Sequence, residues 1–249
     1  MKIDYWVLGS PAAGTRLDQY ANGFMQWYGM DARAARSIGP GNASAPFDFS
    51  VDPSTGHPVL GGNKPAIDNH FFYNQIGNVG FIGYSGAYTL EELTPLMTEA
   101  CAWLPAQPGV RLAVLLGHWD TSGLGATSAT ATPGLYDHIK GMPGCKALDD
   151  SGALKFVMGH THCNLAHPHG HVLSGHSTGF MVAGFGMEGC GNYGVPLLDT
   201  TGNKVRVVYF PIVAKDGTDT YDQVTACVAK SGWRQCTHLA ETWLDQELP

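Results

Sequence analysis

Apolar and polar positions along this chain fall into two periods, one of about two residues and one near 3.6, after an opening with neither. Residues 1–65 scatter Gly, Pro, Asn and Ser throughout and read as irregular, with punctuation at Gly39-Pro40-Gly41-Asn42 and Gly61-Gly62-Asn63-Lys64-Pro65. Within them, Phe24, Met25, Trp27 and Tyr28 suggest a short amphipathic helix or turn over residues 23–30. Order begins at Phe71. Residues 71–76 and 79–84 are rich in aromatic and branched side chains and are separated only by Gly77-Asn78, which predicts a hairpin. A helix follows. Thr89 and Glu92 form a capping-box pair, and Leu93, Leu96, Met97, Ala100 and Leu104 recur on one face until Pro105 and Pro108.

Residues 110–116 are a nearly continuous apolar run, read as a buried strand that stops at Gly117-His118-Trp119-Asp120. A long Thr/Ser/Gly/Ala loop and a short helix over 135–139 lead to a second apolar run, 154–158, which stops at Gly159-His160-Thr161-His162. Residues 180–185 form a third. Residues 195–198 and 205–210 predict a second hairpin, and the tail from Thr220 reads as helical, with Leu239, Trp243 and Leu244 as its apolar face. Strands interleaved with helices predict an α/β fold. No repeat and no linker divides the chain, so residues 1–249 are taken as one domain: a core over 70–212, an irregular region over 1–69 and a helical tail over 213–249.

Composition narrows the function classes. At 44% hydrophobic and 14% charged residues the chain can bury a core, and 33 Gly with 15 Pro favour a loop-rich fold over a helical bundle. A formal charge of −7 argues against nucleic-acid binding. No apolar run reaches the roughly 18 residues of a membrane span, and the opening residues do not read as a good signal peptide, because Asp4 interrupts a short apolar stretch. Six Cys are too sparse for a disulfide scaffold. Cys227 and Cys236 are close enough in sequence to bridge, or else are two ordinary thiols. Low Lys content with abundant Gly, Trp and Tyr leans toward an exported protein.

The eleven His carry the chemistry, with His160, His162, His167, His169, His171 and His176 crowded together. Neutral imidazole is a common metal ligand. Two buried strands that each end in Gly-His deliver their side chains to a sheet rim, where open sheets hold their sites. His118, His160 and His162 are therefore the candidate metal ligands. His167, His169 and His171 share the His-x-His spacing but lie in a polar loop and read as solvated. The Gly-rich stretch 184–191 lacks the strand–helix frame and Lys of a phosphate loop. Ser174 and Ser177 offer no nucleophile triad, and Tyr5, Trp6, Trp27 and Tyr28 read as packing residues more readily than as a substrate mouth.

Phe156-Val157-Met158-Gly159-His160-Thr161-His162 resembles the Gly-His-x-His motif that ends the calcineurin-like metallophosphoesterase domain, and Leu115-Leu116-Gly117-His118-Trp119-Asp120 resembles that family's preceding single-histidine motif. The order of flanking elements over residues 70–212 is similar too. The family's three earlier motifs are Asp-x-His, Gly-Asp-x-x-Asp and Gly-Asn-His followed by an acid. Met1-Lys2-Ile3-Asp4 resembles the end of the third, with only Asp4 retained; Asp68-Asn69-His70 is a rival placement without the Gly or the following acid. The resemblance thus covers the C-terminal half of such an enzyme.

The resemblance implies two packed sheets flanked by helices, with the first sheet largely missing. Strands near 81, 114 and 157 would then expose an apolar face and an edge, so that the chain alone is either poorly stable or meets a partner carrying the other half. It implies two divalent ions (Fe, Mn or Zn) that activate water for in-line attack on a phosphate ester, either a small molecule or a phosphoprotein. His118 and His160 would hold one ion and His162 the other, with Asp4 a remnant beside them. Neutral imidazoles alone do not offset a dinuclear charge. The expectation is a phosphoesterase architecture that is inactive or weak as this chain alone and holds at most one ion tightly. The alternatives are a non-catalytic metal-binding or interaction module of the same descent, and an unrelated three-histidine zinc hydrolase.

Overall fold

A computed structural model describes residues 71–86, 88–120, 126–167, 178–182, 190, 193–213 and 218–249. The expectations for Asp4, residues 23–30, the aromatic residues of the first thirty, Asp68-Asn69-His70, His169, His171, His176, Ser174, Ser177, most of the Gly-rich stretch and the end of the third apolar run lie outside them.

The fold is α/β. The first hairpin is present as β1 (Phe71–Ile76) and β2 (Val79–Tyr84), paired antiparallel. Helix α1 (Leu90–Trp103) carries the chain across to β3 (Leu112–Leu116), which runs parallel to β2. Helices α2 (Thr132–Ile139) and α3 (Cys145–Asp150) make the next crossover, to β4 (Leu154–Met158), again parallel. Strands β5 (Leu165–His167) and β6 (Gly179–Met181) complete a six-stranded sheet of order β1-β2-β3-β4-β6-β5. The second hairpin forms β7 (Gly194–Asp199) and β8 (Lys204–Pro211), and β9 (Glu241–Glu247) joins β8 to make a three-stranded antiparallel sheet.

Period-two alternation decides which face each residue serves. On β3, Ala113 and Leu115 face a core shared with Leu93, Met97, Leu135 and Ile139 of the helices. Leu112 and Val114 point the other way, into a core shared with Val205, Val207 and Leu244 of the small sheet. The large sheet is therefore covered on both faces. The exposed apolar face expected at strands 81, 114 and 157 is not what the fold shows: Val114 is 3% exposed, and Phe81 and Val157 are half-buried against the small sheet. Between the sheets lies an apolar cavity of about 260 Å³, walled by residues of β3, β4, β6, β7, β8 and β9.

Helix α1 starts as its sequence dictates. The backbone N–H of Glu92 donates to Thr89 Oγ1 at 3.3 Å, and the Thr89 N–H donates to Glu92 Oε2 at 2.8 Å. Thr89→Ala removes the cap and is expected to lower stability by about 1 kcal/mol, read as a lower urea midpoint at unchanged m-value.

Two expectations need correction. The tail is helical only over α4 (Tyr221–Ser231) and a 3-10 segment at Trp233–Leu239; Trp243 and Leu244 belong to strand β9. The six Cys are all bridged, as Cys101–Cys145, Cys163–Cys190 and Cys227–Cys236. The last pair fastens α4 to the 3-10 segment over the outer face of the small sheet. Among the described residues no helix is long and apolar enough to cross a membrane.

Candidate metal centre

Parallel pairing brings the two Gly-His turns together. Leu116 of β3 stands opposite Val157 of β4, so both strands end at the same edge of the sheet. Hydrogen bonding continues past the strand ends. The Gly117 N–H donates to the Val157 carbonyl at 3.0 Å, and the Gly159 N–H donates to the His118 carbonyl at 2.9 Å. The Val182 N–H closes on the Met158 carbonyl at 2.9 Å.

Neighbouring elements hold the turn after β3. The Thr132 N–H, at the start of α2, donates to the Trp119 carbonyl at 2.8 Å. The Tyr84 hydroxyl donates to the Thr130 carbonyl at 3.0 Å. Trp119 is buried beneath the site. Gly117 has a steric reason to be glycine, since a Cβ there would collide with Thr132 Oγ1 and the Tyr84 ring.

His118 and His160 meet. Nε2 of His118 and Nδ1 of His160 are 3.3 Å apart, with the rings nearly perpendicular. Both His160 and His162 sit at positive φ, 67° and 58°. For residues with a Cβ this left-handed conformation costs on the order of 1 kcal/mol or more each, and it collects at functional sites. The chain turns sharply there instead of continuing as a strand. His160 thereby swings toward His118, while His162 stays half-buried nearby without a hydrogen bond to either.

Burial and the neighbouring imidazoles of His160 and His162 push the His118 pKa down to about 4, against a smaller opposing pull from Asp120. His118 is therefore neutral at pH 7, with a lone pair to offer. Asp120 Oδ1 is buried and has no hydrogen-bond partner.

The spacing suits a shared ion. Two nitrogens on one tetrahedral zinc, each at 2.0–2.1 Å, stand about 3.3–3.4 Å from each other. Of the predicted ligands the structure thus pairs His118 with His160. Among the described residues no three His, Cys, Asp or Glu side chains converge in a way that would hold an ion by themselves. Asp120 went unremarked as a site residue in the sequence; its only signal was its place two residues after the strand-end histidine. His167, expected in a loop, ends strand β5. Comparison with protein-family models, with curated proteins and with solved structures returned no match.

Proposed function

We propose that His118 and His160 are two ligands of one divalent cation, in a metal-dependent phosphoric ester hydrolase of the calcineurin-like type that is weak or inactive as this chain alone. The observation that carries this reading is the 3.3 Å approach of two imidazole nitrogens at the C-terminal ends of adjacent parallel strands. A bound divalent cation would supply Lewis acidity toward a phosphoryl oxygen. The chain's own residues do the rest. His118 offers a lone pair without first losing a proton, His160 is aimed by its left-handed backbone, and the half-buried Asp120, whose Oδ1 is shielded from solvent, places a carboxylate beside the pair.

Weak activity follows from the ligand inventory. The sequence contains no Gly-Asp-x-x-Asp, the motif that supplies a bridging carboxylate in the family it resembles. Two imidazoles leave a four-coordinate ion two ligands short. A third ligand from His162, or from a chain carrying the missing motifs, would complete it together with a water in the fourth position.

Zinc and manganese titration of chelator-stripped protein tests the reading. We expect one ion per chain, with affinity lowered in either His118→Ala or His160→Ala by more than the roughly 10–100-fold that loss of an outer-shell partner costs, and aryl phosphate turnover near background. Affinity unchanged in both variants would overturn the pair as a site. Two bound ions with brisk turnover would overturn the claim of weakness. One ion with no turnover, even after a chain carrying the earlier motifs is added, would favour the non-catalytic module.

A further inference from the structure

The cavity between the sheets lies apart from the histidine pair and is built differently. Its walls are aliphatic and aromatic, from Val114, Val157, Phe180, Val207 and Leu244 among others. Among the described wall residues a single charged side chain, Lys155, interrupts them. Lys155 is 4% exposed, and its Nζ donates to Gln246 Oε1 at 3.0 Å. Gln246 is itself anchored, its Nε2 donating to the Gly152 carbonyl at 3.1 Å. The lysine head is thus fixed in place. At about 260 Å³ the space exceeds the roughly 150 Å³ cavity that accepts benzene, and it falls just short of common ligand pockets. Leu198, on the same wall, is 44% exposed, so the lining reaches the surface at β7.

We propose that this cavity binds a medium-chain aliphatic carboxylate, its hydrocarbon chain among the inter-sheet side chains and its head group at Lys155. The volume suits roughly eight to ten carbons at interior packing density. The apolar walls reward a hydrocarbon and offer almost nothing to a sugar or nucleotide. The cationic wall residue selects an anionic head, and a charge-assisted hydrogen bond from an ammonium to a carboxylate is among the stronger polar contacts. A monoanion is favoured over a phosphate dianion because the head group must shed its water in a buried setting.

The test compares decanoate with 1-decanol by calorimetric titration and by thermal melting of the full chain. Chelator is present throughout, so that carboxylate binding to a metal at His118 and His160 does not contribute. We expect decanoate to bind at least tenfold more tightly than the alcohol and to raise the melting temperature. The preference should shrink to within about twofold in Lys155→Met. Val157→Phe, which fills the cavity, should abolish binding of both, whereas His118→Ala should leave binding intact. No decanoate binding, equal binding of the alcohol, or a preference that survives in Lys155→Met would each overturn the proposal. The comparison on unaltered protein decides the matter even if a variant fails to fold.

Discussion

Replacing Cys101 and Cys145 together by alanine is expected to cost the fold about 4 kcal/mol, enough to lower its melting temperature by roughly 8–16 °C. The two sulfurs join the last turn of α1 to the first residue of α3 across 44 positions of sequence. Closing a loop of that length removes conformational freedom mainly from the unfolded chain, and the saving grows with the logarithm of the loop. The bridge is also wholly buried, so its loss loosens packing around Leu93, Met97 and Leu104 in the same core. Gly144 marks how close the two segments come: it precedes Cys145 at φ 90°, and a Cβ there would run into the Cys101 carbonyl. The same arithmetic ranks the other bridges. Cys163–Cys190 spans 27 positions and Cys227–Cys236 spans 9, worth about 3.5 and 2.6 kcal/mol. Calorimetry of the three double alanine variants reads both the size and the order. If the short terminal bridge proved the costliest to remove, the chain-entropy account would fail here.

These bridges show where a sequence is opaque. Cys101 lies in a segment whose local character is plain and Cys145 in one that is not, and their meeting depends on how α1 and α3 pack on the same side of the sheet. A count of six Cys in a long chain carries no information about that contact. The first hairpin, α1 and the two strands ending in Gly-His were legible because one local signal decides each: a two-residue turn, a capping box, an apolar run with an abrupt stop. Helix α3 was not, since Gly144 stands at its start in place of a side-chain cap.

The misread end of the chain has a specific cause. Leu239, Trp243 and Leu244 fit a helical stripe, and strand alternation is concealed. In β9, Val207 pairs with Leu244 and Val208 with Thr242, leaving Trp243 as an extra residue at a bulge. The bulge turns adjacent Trp243 and Leu244 toward the same core. The buried partner that should have followed by alternation is Gln246, a polar residue. A strand whose inward positions read Leu, Gln, with a bulged Trp, does not look like one.

Within the candidate site the strand–Gly–His grammar located His118 and His160, because parallel strands of similar length end at a common edge. The left-handed backbone at His160 and His162 left no trace in residue types, since the glycine in that turn precedes the positions that need it. Which histidines meet and which stands apart is a matter of that turn, which the spacing of two imidazoles does not encode.

Lys155 was hidden in plain view inside an apolar strand, and the pH dependence of stability should expose it. Burial holds its amine down to about 8 from an ordinary 10.5, against a smaller upward pull from Asp149. Below about pH 8 the folded state carries a desolvated ammonium and bears the full penalty. Between about 8 and 10.5 the folded protein has released a proton that the unfolded chain still binds, so stability rises with pH through that window. The interval is worth about 3 kcal/mol. Lys155→Met removes the rise, while leaving Gln246 Oε1 without its donor costs about 1–3 kcal/mol at every pH. The two proteins should therefore differ little near pH 7 and diverge toward pH 10.5, with the unaltered protein gaining about 3 kcal/mol relative to the variant. Tyr209, whose phenol burial pushes up to about 12, opposes folding at the top of the window in both proteins and cancels from the difference. Urea titrations at pH 7, 8, 9 and 10 on both proteins read the divergence directly. Parallel profiles would mean that the Lys155 amine is solvated, and would remove the buried, desolvated setting on which the proposed recognition in the inter-sheet cavity rests.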